Sequence, residues 1–199
     1  STSGSVTGDN YTGGLAGSIA DSTVSSCSSS STVSGKSTSN YVGGFAGYID
    51  TVTVTNCYST GAVDGTSTGD SIGGFTGGDA PTNTFTICYA TGTVGGNDYV
   101  GGFTGAGTTG TTFTKCYATG DVTSTGTSTV GGFISGIGVN STITDCYAKG
   151  DVTAASATYV GGFIGNNNTG TVTSSYSVGA VSGSAEVGGF CGDNSGTIS

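Results

Sequence analysis

The sequence predicts an all-β chain, a parallel β-solenoid (β-helix) of about seven coils, each coil formed by one repeat of about 30 residues, with two smaller coils of about fifteen residues per repeat as the alternative. Three observations predict it. A Gly-Gly pair recurs at Gly13-Gly14, Gly43-Gly44, Gly73-Gly74, Gly101-Gly102, Gly131-Gly132, Gly161-Gly162 and Gly188-Gly189, in steps of 30, 30, 28, 30, 30 and 27 residues. Apolar residues keep register with it in several columns. Glycine makes up 41 of the 199 residues, a content that helices do not tolerate. The chain reads as one repeat domain, 1–199. Its repeats lie at about 1–22 (partial), 23–52, 53–83, 84–111, 112–141, 142–170 and 171–199, with a new strand starting at 197.

Each repeat opens on T-h-T-x-C-Y-A-T-G-x-V, where h is apolar, continues through a variable loop, and closes on V-G-G-F-x-G. The h position holds Val24, Val54, Phe85, Phe113, Ile143 and Val172. Period-2 alternation turns these inward and the flanking threonines outward. The next column is Cys27, Cys57, Cys88, Cys116 and Cys146, with Ser175 in the last place, followed by Tyr58, Tyr89, Tyr117, Tyr147 and Tyr176. Gly61, Gly92, Gly120, Gly150 and Gly179 come next, where a corner calls for positive φ or tight curvature. A valine column (Val6, Val33, Val63, Val94, Val122, Val152, Val181) and a Phe column after each Gly-Gly pair (Leu15 in the first, then Phe45 to Phe190) supply the core. The Gly-Gly pairs are expected to let two walls of the coil approach closely. Length changes fall between the valine column and V-G-G-F, and after G-G-F-x-G. These are the loops, and the rest reads as three short strands per repeat. Disorder does not hold Phe, Val, Tyr and Cys in register over so many units.

Composition limits function. The formal net charge is -9, and the only cations are Lys36, Lys115 and Lys149. Nucleic acid and anionic membrane surfaces need phosphate-neutralising cations, so both are excluded as partners. No apolar run is long enough to span a bilayer, so direct membrane insertion is not expected. The polar, nearly uncharged Ser/Thr-rich remainder suits an extracellular or cell-surface setting. Sequons at Asn10, Asn140 and Asn167 are candidate N-glycosylation sites. With no histidine and no C-x-x-C, neither a metal site nor a cofactor is expected.

The cysteine column has two readings. Stacked coils bring neighbours within disulfide range, so Cys27, Cys57, Cys88, Cys116 and Cys146 form either inter-coil staples or a buried ladder of thiols. The chain begins with Ser1-Thr2-Ser3-Gly4-Ser5-Val6, which matches the end of a Y-A-T-G-x-V segment, and ends on the opening of another T-h-T strand. The expectation is either a segment of a longer repetitive protein or head-to-tail stacking into a fibre.

The combination of V-G-G-F-x-G with T-h-T-x-C-Y-A-T-G-x-V resembles the GLUG repeat of large microbial surface proteins, over essentially the whole chain. Most copies carry Phe where such repeats often have Leu; Leu15 keeps the leucine. The resemblance implies a stalk or adhesin module and brings no catalytic residues. The leading expectation is therefore a non-enzymatic structural solenoid that self-associates, with glycans or other surface polymers as further partners. A second reading is ice binding by two outward files: Thr53, Thr84, Thr112, Thr142 and Thr171 beside Thr55, Thr86, Thr114, Thr144 and Thr173. These files lie about 7 Å apart, with coils about 4.8 Å apart. A third is carbohydrate cleavage by paired carboxylates, for which Asp121 and Asp151 stand in equivalent places. A single glutamate and the lack of arginine and histidine weigh against it.

Overall fold

The period of the apolar columns becomes the period of the coil. In the computed structural model, which describes residues 1–36, 40–65 and 70–199, every strand pairing is parallel, and each column lies in register on its counterpart one repeat away. Phe85 pairs with Val54 and Phe113, Tyr89 with Tyr58 and Tyr117, and Val94 with Val63 and Val122. One repeat makes one coil. The threonine sheet has seven strands, from Thr23–Ser25 to Thr197–Ile198, which bound six complete turns. The expected seven falls to about six because the first repeat is partial.

A coil uses up to five short strands where three were expected, and the coil at residues 84–111 uses four. The threonine sheet is followed by a six-stranded tyrosine sheet, from Ser28–Ser29 to Tyr176–Ser177. Two further sheets of seven strands follow. The valine sheet runs from Ser5–Gly8 to Val181–Gly183, and the glycine sheet from Thr12–Gly13 to Glu186–Gly188. The fifth wall is split into two three-stranded sheets. One comprises Ala16–Ala20, Ala46–Asp50 and Thr76–Asp79, the other Ile134–Ile137, Ile164–Asn167 and Cys191–Asn194. Strands of two residues carry no alternation to read, so sequence periodicity merges them with their neighbours. Part of the variable loop at 64–71 lies outside the described residues.

The interior holds two apolar columns side by side. The larger joins the Phe, Cys and h ladders with Ala90, Ala118 and Ala148; the smaller joins the valine column to Val42, Ile72, Val100, Val130 and Val160. Phe45, Phe75, Phe103, Phe133, Phe163 and Phe190 stack with centroids 4.5, 4.7, 5.1, 4.9 and 4.9 Å apart. Phe85 and Phe113 meet this stack edge-on, as at Phe85–Phe103 with centroids 5.6 Å apart and planes at 88°. The offset-stacked and edge-to-face pairs each add about 0.5–1.5 kcal/mol beyond the area they bury.

Gly-Gly pairs are what bring the walls together. A methyl on Gly102 would overlap the carbonyl oxygen of Gly132 in the next coil and crowd Ala118 Cβ at 3.0 Å across the interior. The first glycine of each pair, such as Gly101, would strike the carbonyl of the residue after Phe in its own coil, here Thr104.

Corners are built differently from expectation. Of the Gly61, Gly92, Gly120, Gly150 and Gly179 column, only Gly179 has positive φ. The other four are glycine because a Cβ would run into the backbone of the preceding coil. One left-handed corner lies before V-G-G at Tyr11, Tyr41, Ser71 and Tyr99, and another lies at the x of T-h-T-x-C. Ser26, Asn56, Ile87, Lys115, Asp145 and Ser174 all have φ between 48 and 56°. Each amide there donates to the threonine or serine carbonyl of the next coil, as Ile87 does to Thr114 O at 3.0 Å. For an L-residue other than Asn or Gly this conformation costs roughly 1–2 kcal/mol. Ile87 is β-branched and half exposed, so it carries the cost with little burial in return. Ile87→Asn, which copies Asn56, is expected to raise the thermal midpoint by about 2–4 °C, read by circular dichroism.

Candidate functional site

The outward surface consists of ladders, each built by a side chain repeated at one coil rise. The threonine files form as expected. Thr53, Thr84, Thr112, Thr142 and Thr171 pair in succession, and so do Thr55, Thr86, Thr114, Thr144 and Thr173. The h residues between them are buried, which fixes both files on the outer face. One hydroxyl pair bonds along each file: Thr142 Oγ1 donates to Thr112 Oγ1 at 3.3 Å, and Thr144 and Thr173 share a hydrogen bond of 3.1 Å.

Beyond the left-handed corner stands the tyrosine ladder. Tyr58, Tyr89, Tyr117, Tyr147 and Tyr176 stack with centroids 4.8, 4.7, 4.7 and 5.2 Å apart and planes within 11°. Partial burial, and then the neighbouring tyrosines, raise the Tyr117 phenol above its ordinary value. Lys149 Nζ lies 4.9 Å from the Tyr147 centroid, a cation–π contact near one end of the row.

The cysteine column is buried in Cys57, Cys88, Cys116 and Cys146 and half-buried in Cys27, with every thiol free. Each Sγ donates to the carbonyl two residues before it: Cys57 to Thr55 O at 3.4 Å, Cys88 to Thr86 O at 3.4 Å, Cys146 to Thr144 O at 3.3 Å. Ser175 makes the same bond to Thr173 O at 2.9 Å and also accepts from Cys146 N at 3.1 Å. Equivalently, Cys146 Sγ accepts from Cys116 N at 3.3 Å. The position thus takes a small donor–acceptor that ties the corner carbonyl to the preceding coil, and serine fills it as well as cysteine. Burial pushes the Cys57 thiol up to about 11 and Cys116 well above its ordinary value. Both are therefore protonated and unreactive at neutral pH.

Asp121 and Asp151 do meet, in a structural arrangement. Asp121 Oδ1 accepts the amide of Asp151 at 2.9 Å, and Asp151 Oδ1 accepts the amide of Ala180 at 2.7 Å. Each exposed carboxylate caps the next coil's backbone. Asp79 is the aspartate with an enclosed carboxyl. Its Oδ2 accepts from Thr111 Oγ1 at 2.8 Å, its Oδ1 is buried without a partner, and burial raises it to about 7. Among the described residues, no group of His, Cys, Asp or Glu side chains is placed to hold a metal ion. The single ion pair among them, Lys36–Asp9 at 3.7 Å, is exposed.

The three sequons divide. Asn10 and Asn140 are exposed. Asn167 is fully buried, its Nδ2 donating to Asn194 Oδ1 at 2.7 Å and its Oδ1 accepting from Gly170 N at 2.9 Å. A glycan on Asn167 is incompatible with this packing, so that expectation is corrected: alternation in its strand turns the side chain inward.

Comparison with known families matches residues 38–64 to the GLUG motif. Those residues carry a GLUG motif. The match covers Val42-Gly43-Gly44-Phe45, the strands Ala46–Asp50 and Thr53–Thr55, and the Cys57-Tyr58 ladder positions. The coils on either side of this GLUG unit hold the same columns in backbone register with it. A β-solenoid is therefore the structural setting of the GLUG motif in this chain. No curated protein and no solved structure matches the chain.

Proposed function

We propose that the chain is a non-enzymatic, extracellular structural element. It is a rigid repeat solenoid that extends a stalk or filament, or forms the repeat region of a surface adhesin. The observation that carries this reading is the register of the ladders: the same side chains stack coil after coil through six turns. Such an array gains stability from each neighbour interface and gains length with each repeat. The carboxylates of Asp121 and Asp151 hold backbone amides of the following coils, which supports a scaffold role over catalysis. The low charge and Ser/Thr-rich surface support an exterior location, and the resemblance to microbial surface repeats points the same way. Self-association along the solenoid axis is the proposed partner chemistry. Electron microscopy of the purified chain at low concentration tests it. Unbranched fibres or straight uniform rods are expected; compact round particles would overturn it.

Ice binding remains a second reading, favoured by one observation: two in-register threonine files on a seven-stranded sheet, with one hydroxyl–hydroxyl bond along each file. Replacing Thr112 and Thr114 with Tyr is expected to leave the thermal midpoint within about 1–2 °C of the parent, since both side chains face outward. If the sheet binds ice, the same change abolishes thermal hysteresis; hysteresis that persists unchanged rejects the threonine face.

A further inference from the structure

The fifth wall of the solenoid is interrupted in one coil. Thr104 bridges Ile134 and Thr108 bridges Ile137, so four steps along one coil oppose three along the next. That extra residue is a β-bulge at Ala106–Gly107, and it separates the two three-stranded sheets. A groove of about 490 Å³ lies there. Its floor is glycine. A Cβ on Gly107 would meet nothing closer than 3.7 Å, and one on Gly136 nothing closer than Asn166 O at 3.3 Å.

Two coils earlier the same place is filled. Gly78 stands in the Gly136 column, and the Tyr41 ring covers it, packed with Tyr11 and Tyr48 at centroid distances of 5.5 and 5.2 Å. Tyr99 is the counterpart of Tyr41, one residue before the V-G-G segment of its coil. No tyrosine corresponding to Tyr48 stands beside it; that position is Ala106. Tyr99 is therefore left 43% exposed on one wall of the groove. Asn166 and Asn168 line the groove as well. Among the described residues, neither of their side-chain amides nor the Tyr99 hydroxyl has a hydrogen-bond partner.

We propose that this groove binds a neutral carbohydrate. The Tyr99 ring offers a negative face to the C–H bonds of a pyranose. The Asn166 and Asn168 amides each offer both a donor and an acceptor, the pairing that a sugar hydroxyl needs. The volume lies within the usual range of small-molecule clefts, roughly 300–1,000 Å³. The sugar is neutral because the groove is lined by no lysine, Asp193 follows Asn166 in the same column, and the chain carries a net charge of -9. An extended peptide fits less well, since the backbone around the bulge is already paired between coils, as at Gly105 N to Thr76 O and Ala106 N to Gly77 O.

The test is affinity electrophoresis of the intact chain in gels containing a mannan, a β-glucan or a galactan. At least one polysaccharide is expected to retard the parent. Tyr99→Ala is expected to weaken that retardation at least tenfold with an unchanged thermal midpoint. Gly136→Tyr, which fills the groove as Tyr41 and Tyr48 fill its counterpart, is expected to abolish it. A parent that none of the three retards, or equal retardation of parent and both folded variants, overturns the proposal.

Discussion

Replacing Phe103 with aspartate is expected to divide the solenoid in two. Phe103 is fully buried at the middle of the Phe ladder, between Phe75 at 4.7 Å and Phe133 at 5.1 Å, with Phe85 and Phe113 against its edges. Truncating such a ring costs about 3–5 kcal/mol. An ionised carboxylate in the cavity left behind has no cation to pair with, which adds several kcal/mol more. The thermal midpoint should fall by at least about 10 °C, or the melt should split into two steps as the halves uncouple. Circular dichroism melts check this. Phe103→Leu, which copies Leu15 at the head of the column, should lose only roughly 1–2 kcal/mol. An aspartate variant that melts like the parent would contradict the inward placement of the ladder.

The Gly-Gly pairs carry the second large effect. Gly102→Ala places a methyl against the Gly132 carbonyl and against Ala118 from the opposite wall. Both obstacles are backbone or a side chain that cannot rotate away, so the coils must separate. Overpacking of this kind costs about 3 kcal/mol, a drop of roughly 6–12 °C in the midpoint. Gly95→Ala is the control. Its added methyl would meet only Thr123 Oγ1 at 3.4 Å, an ordinary contact, and its φ is not positive. That variant should be neutral or slightly stabilised, through a less flexible unfolded chain. Equal losses at Gly102 and Gly95 would contradict close approach as the reason for glycine at the Gly-Gly pairs.

These contrasts show where the fold was legible in the sequence. Large columns spaced by one period, such as Phe45 to Phe190 and Val33 to Val181, announce an interior because nothing else keeps bulky apolar residues in register. The Thr-h-Thr alternation assigns an inner and an outer face with three residues. Less of the chain was legible where geometry arises between coils. Glycine in the Gly120 column reads as a turn, yet the turn is made by Lys115 and its counterparts, held left-handed by a hydrogen bond to the next coil. Single-coil propensity has no access to that bond. Asn167 reads as a sequon because a three-residue pattern carries no burial. The candidate groove was hidden for a similar reason. It depends on one extra residue at Ala106–Gly107 and on the absence of a Tyr48 counterpart, both visible only once coils are aligned in space.

Each repeat of about 30 residues adds one coil in parallel register with its neighbours. Small-angle X-ray scattering of a chain with residues 112–141 duplicated twice in tandem tests it most directly. One coil per repeat predicts an unchanged cross-section and a maximum dimension longer by about 10 Å, two coil rises. A widened cross-section, or an increase near 19 Å from two coils per repeat, would contradict it.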